Sequence, residues 1–147
     1  MEFEHVFQVK AYSREKGFKV DVEARQHKLT VDEPKELGGT DKGANPIEYL
    51  LAALASCLSI AIRFHAHKKK IQVDEIEVEA KGMLDLRGFM GMEGYKPGLQ
   101  WVEVNLKVKS PEPEEKIREL VEFVEAHCPV ADTLRSQTEV KLNLTKI

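Results

Sequence analysis

The sequence predicts an α+β fold with the element order β-β-β-α-β-β-α-β. Three patterns lead there. Several short stretches alternate apolar and polar residues, as half-buried strands do. One stretch, "YLLAALASCLSIAI", is apolar without interruption, and another, "EEKIRELVEFVEAHC", repeats its apolar residues at helical spacing. The strands come in blocks and not in strict alternation with helices, which argues against a doubly wound parallel sheet.

The elements follow in chain order. "HVFQVKAY", "FKVDVEA" and "KLTVDE" read as an antiparallel meander with turns at "REKG" and "RQH". "EPKELGGTDKGANP", with Gly38, Gly39 and Gly43, is a substantial loop. A helix then begins. Asn45 is its N-cap, Pro46 occupies the first helical position and Glu48 stands three residues after the cap, a capping box. The helix ends in "KKK", where positive charge suits a C-terminus. Because it is apolar on every side, it is expected to be surrounded by protein. "DEIEVEAKGMLDL" and "QWVEVNLKVKS" form a hairpin around the Gly-rich "RGFMGMEGYKPG". Ser110 is the candidate cap of the second helix, whose apolar face is Ile117, Leu120, Val121 and Val124. Pro129 stops or restarts that helix, and "EVKLNLTKI" reads as a last strand.

The chain has 147 residues and is expected to form one domain, 1–147. With 42% hydrophobic and 32% charged residues it belongs with soluble globular proteins. A net charge of −3 gives nucleic-acid binding little support. The apolar run is shorter than the roughly 20 residues a bilayer span needs, so no membrane association is expected. "MEFEHVFQVKAYSREKG" lacks the basic and apolar regions of a signal peptide. Two cysteines without such a signal point to a reducing, cytoplasmic setting.

Those cysteines, Cys57 and Cys128, are far apart in sequence and form no CxxC pair. Cys57 lies mid-helix, where it reads either as a small buried hydrophobe or as a nucleophile. Cys128 precedes a proline at a helix junction, where backbone N–H groups can stabilise a thiolate. His65 and His67 are two apart and fall on different sides of a helix, and His127 has no evident fellow ligands, so no metal is expected. No GxSxG, P-loop or GxGxxG is present. Phe89, Met90, Met92, Tyr95 and Trp101 either line a substrate mouth or pack across strands.

The segment "PKELGGTDKGANPIEYLLAALASCLSI", with the distant "CPV" at Cys128, resembles the OsmC/Ohr family of thiol-dependent peroxidases, and the likeness extends over essentially the whole chain. The resemblance implies an intertwined homodimer, with antiparallel sheets wrapped around central helices and sites at the subunit interface. It implies that Cys57 attacks an organic hydroperoxide and becomes sulfenic acid, and that Cys128 resolves it as a disulfide. An external dithiol, dihydrolipoamide-like, then restores the thiols, and no metal, flavin or other bound cofactor is called for. The family's thiolate-stabilising cation matches Arg14 in "YSREKG", with Arg25 in reserve. The family's partner acid directly follows the "NP" proline, and this chain has Ile47 there. Glu48 is the nearest acid. Nine residues of straight helix rise about 13 Å, so Glu48 reaches Cys57 only through a helix break or from a partner subunit. Two other readings stand beside the peroxidase: a binding protein for an apolar small molecule, and a thiol redox sensor without efficient peroxide turnover. The distance between the two sulfurs bears on all three.

Overall fold

A computed structural model describes residues 2–147. Contacts gather into two compact units, one up to Leu50 and one from Leu51 to Ile147.

The first unit is an antiparallel meander of β1 (Lys10–Tyr12), β2 (Val20–Ala24) and β3 (His27–Val31). Val20 pairs with Val31, and Tyr12 pairs with Asp21. The tight β2–β3 turn holds Arg25 at a φ of 57°. Beyond β3 the chain makes one 3-10 turn, Lys35–Leu37, closed by Gly38 in the left-handed conformation. The loop is then tied down by a buried carboxylate. Asp32 accepts from the Thr40 hydroxyl at 2.6 Å and from the backbone N–H groups of Glu33, Thr40 and Lys42. Gly43 passes so close to the Thr30 carbonyl that a side chain there would collide with it.

The long helix α1 (Pro46–Lys69) opens in the expected capping box. The Glu48 N–H donates to Asn45 Oδ1 at 2.8 Å, and the Asn45 N–H donates to Glu48 Oε1 at 2.9 Å. The Tyr49 hydroxyl donates to the Thr30 carbonyl at 2.7 Å and ties this first turn to β3.

The second unit contains the rest of α1, then β4 (Glu75–Leu84), the short α2 (Leu86–Phe89), β5 (Leu99–Lys109), α3 (Glu114–His127) and α4 (Pro129–Arg135). β4 and β5 form an antiparallel hairpin whose outer face carries opposite charges in register, such as Glu77 with Lys107. Its inner face, including Ile76, Val78, Val104 and Leu106, packs on the core. That core is the α1 stripe Leu54, Leu58, Ile62 and Ala66 with Leu120, Val124, Cys128 and Ala131 from α3, the junction and α4.

Several expectations need correction. The first strand is shorter than its alternation suggests, because residues before Lys10 run past the end of the β2–β3 hairpin. The last stretch, "EVKLNLTKI", forms no strand within this chain. Ser110 does not cap α3. Its hydroxyl donates to the Gln72 carbonyl and accepts from the Glu112 N–H, and the helix begins after Pro113. Within the Gly-rich excursion, Asp85 caps α2 and pairs with Arg87, which lies over the Tyr95 ring. One chain alone covers only part of α1, which leaves the expected cover by a second copy untested. Only its four-residue stripe is buried, while Ile60 is 69% and Phe64 58% exposed. By length and composition alone the 24-residue α1 is apolar enough to cross a bilayer, a test that the core helix of a soluble protein also passes.

The Asp32 knot has a pH signature. The Thr40 hydroxyl and then the three N–H donors hold its pKa down, from 3.8 to about 2, against the opposing effect of burial. A depressed carboxyl pKa contributes stability that is fully present above 3.8 and lost as pH falls through about 2. Asp32→Ala is therefore expected to lower the melting temperature by several degrees at pH 7. The gap should close below pH 3 in calorimetric melts, and an equal gap at pH 7 and pH 2 would contradict the assignment.

Candidate active site

The two cysteines meet in the second unit. Helical spacing places Cys57 beside Leu54 and Ala61, at the edge of the α1 stripe. Cys128 follows the last residue of α3 in an extended conformation and is fully buried. Pro129 takes the first position of α4, so the chain turns at Cys128 and presents its sulfur to α1. The Cys128 thiol donates to Cys57 Sγ at 3.1 Å, and both cysteines are free thiols.

Their surroundings differ. Cys128 is sealed in the core, whereas Cys57 is partly exposed and accessible to a reactant. Burial pushes the Cys57 thiol above its ordinary range, the Val130 backbone N–H pulls it back, and the neighbouring Cys128 raises it again. The junction N–H that sequence reasoning offered to Cys128 thus serves Cys57.

An apolar cleft of about 500 Å³ opens on the same core, and neither cysteine is among its lining residues. Leu54 and Leu58, which flank Cys57 on α1, line it together with Trp101, Val104 and Leu134. Arg135 and Glu125 also line it, paired at 2.7 Å. Trp101 therefore contributes to a cavity wall, while Phe89 and Met90 are largely exposed on the hairpin excursion. His127 Nδ1 lies 2.8 Å from the Phe123 carbonyl, and its ring stacks on Phe123. Among the described residues no group of three or more His, Cys, Asp and Glu side chains is gathered for a metal.

Arg14 and Glu48 belong to the first unit. The Arg14 guanidinium lies 4.0 Å from the centroid of the Tyr12 ring, and the Glu48 carboxylate occupies the capping box. Arg25 sits in the β2–β3 turn. Two features were not anticipated from the sequence. One is Asp32, whose position at the head of a Gly-rich loop was the available signal. The other is the cleft, for which no local pattern exists because its walls come from α1, β5, α3 and α4.

Residues 39–143 match the family model of OsmC-like proteins. The chain belongs to the OsmC family. It is 32% identical over 118 residues to the hydroperoxide reductase of Mycoplasma genitalium, covering 80% of this chain and 79% of that protein. It is 31% identical over 102 residues to the organic hydroperoxide resistance protein OhrB of Bacillus subtilis, covering 69% and 70%. The crystal structure of an OsmC-like protein from Mycoplasma pneumoniae matches this OsmC-family fold with a TM-score of 0.79 at 26% identity, over 90% of this chain and 89% of that one.

The two-sulfur geometry gives a direct expectation. Cys128→Ala removes the thiol that raises Cys57, so the midpoint of Cys57 alkylation with pH should move down. Site-resolved mass spectrometry of iodoacetamide labelling reads this, and an unchanged or higher midpoint would contradict the coupling.

Proposed function

We propose that this OsmC-family protein, a single OsmC-like domain, is a cytoplasmic thiol-dependent peroxidase that reduces organic hydroperoxides in oxidative-stress defence. The observation that carries the reading is the 3.1 Å contact between a partly exposed Cys57 and a buried Cys128. Relatives that are hydroperoxide reductases, at about 30% identity over most of the chain, support it.

In the proposed cycle the Cys57 thiolate attacks the peroxide oxygen. The O–O bond breaks, Cys57 becomes a sulfenic acid, and the alkoxide leaves and is protonated to an alcohol. Cys128 then attacks the sulfenic sulfur, giving a disulfide and water. An external dithiol reduces that disulfide and is itself oxidised, so no bound cofactor is required. The short reach to Cys128 limits the lifetime of the sulfenic acid, which otherwise oxidises further. The apolar residues beside Cys57 suit an organic peroxide better than hydrogen peroxide.

Burial raises the Cys57 pKa, so thiolate formation at neutral pH calls for a cation. Arg14 is assigned that role, following the family pattern. Glu48 is assigned as the carboxylate that steadies the guanidinium, in place of the acid absent at Ile47. The assembly proposed is a homodimer, which would cover the exposed apolar face of α1 that includes Ile60 and Phe64. The apolar cleft favours a second reading, binding of an apolar ligand without turnover.

Steady-state assays with cumene hydroperoxide, hydrogen peroxide and dihydrolipoamide test the proposal. The organic peroxide is expected to be consumed faster, and Cys57→Ser is expected to fall to the uncatalysed rate. Cys128→Ser should turn over once and then accumulate sulfenic and sulfinic acid. Arg14→Gln should shift the pH–rate profile to higher pH. Equal, slow oxidation of all the variants would favour the binding reading.

A further inference from the structure

The two sulfurs also offer a chelate that the proposed peroxide cycle does not use. Cys57 and Cys128 are free thiols with their sulfurs 3.1 Å apart. Each is placed by a separate part of the packed core. The buried stripe of α1 sets Cys57, and the turn into Pro129 sets Cys128. The gap between the sulfurs is therefore a property of the core and not of a flexible loop.

That gap selects among soft centres. Two thiolates on a tetrahedral zinc stand about 3.8 Å apart, and a linear Cu(I) drives them further apart still. Zinc also takes four ligands, and among the described residues no group of three or more His, Cys, Asp and Glu side chains is gathered. Trivalent arsenic differs in shape. Its lone pair holds its three bonds close to right angles. With bonds to sulfur about as long as those of zinc, roughly 2.3 Å, a right angle spans about 3.3 Å.

Charge and space agree with that choice. Burial pushes the Cys57 thiol up, and what pulls it back is a backbone N–H, that of Val130, so at neutral pH the pair is mostly uncharged. An uncharged dithiol suits a reaction that begins and ends neutral. Cys57 is partly exposed while Cys128 is sealed, so the pair has one open side. Ala53 and Ala61 lie one helical turn before and after Cys57, and their small side chains leave room there.

From this we infer that Cys57 and Cys128 together capture a monosubstituted trivalent organoarsenical. The arsenic enters from the open side of Cys57, and its one remaining apolar substituent projects past Ala53 and Ala61. Two S–As bonds form. Both thiol protons leave with the arsenical oxygen as one water, arsenic stays trivalent, and no oxidant or reductant is needed. The inference rests on the two-thiol geometry and not on peroxide turnover. Capture and turnover exclude each other, since both use Cys57.

Phenylarsine oxide, added at one equivalent to the reduced intact protein, tests it. Intact mass should show one phenylarsine oxide gained and one water lost. Excess glutathione, a monothiol, should leave the adduct in place, and excess dimercaptopropanol should strip it. Cys57→Ser and Cys128→Ala should each bind at least about 100-fold more weakly, as expected when one arm of a two-point attachment is lost. Cys57→Ser, at the partly exposed position, keeps the test open where Cys128→Ala fails to fold. An adduct as tight in Cys57→Ser as in the parent, one stripped by glutathione, or one displaced by equimolar zinc would overturn the chelate. Capture without peroxide turnover would uphold the chelate and contradict the peroxidase reading, and turnover without capture would overturn the chelate alone.

Discussion

The buried stripe of α1 is the constraint on which the site depends. Leu54, Leu58, Ile62 and Ala66 recur every four residues and lock into one core with Leu120 and Val124 of α3. This packing fixes the rotation of α1 and so aims Cys57 at the end of α3. There Pro129 prevents simple continuation of the helix, and the turn delivers Cys128 Sγ to within 3.1 Å of Cys57 Sγ. Loss of the Ile62 side chain, which is wholly buried, would leave a cavity in the core that holds Cys128.

The same arrangement gives the two thiols different surroundings, which suit the roles proposed for them. Burial keeps Cys128 from solvent, which suits a thiol that should react only with its neighbour. Partial exposure leaves Cys57 open to a reactant, and the Val130 N–H offers its sulfur some of the stabilisation that burial removes. The remainder must come from a cation, the role proposed for Arg14. The chain also leaves apolar surface uncovered in two places, the outer face of α1 and the two chain ends. The homodimer proposed above would cover the α1 face.

Local patterns carried much of this. The capping box at Asn45 and Glu48 was legible because its two hydrogen bonds span only four residues. The β4–β5 hairpin and α3 were legible from their periods. The restart at Pro129 was legible because a proline suits the first turn of a helix. The family likeness followed from the loop and the Cys57 segment together. What was not legible depends on contacts between distant residues. The period-two alternation of "HVFQVKAY" and "EVKLNLTKI" specifies strands but not the partner they need, and within one chain most of it goes unpaired. Asp32 read as a strand end because its four donors lie in the following loop. The α1 helix read as surrounded because hydrophobicity reports a need for cover and not its source.

The thiol pair can be tested by a single measurement. Reduced protein is mixed with one equivalent of cumene hydroperoxide, quenched with acid, and its intact mass and peptide map are recorded. A Cys57–Cys128 disulfide formed with the loss of two hydrogens and the release of one equivalent of alcohol is the result expected of neighbouring peroxidatic and resolving thiols. Unchanged mass, or oxygen added elsewhere with both thiols intact, would contradict the peroxidase account and leave Cys57 as a packing residue.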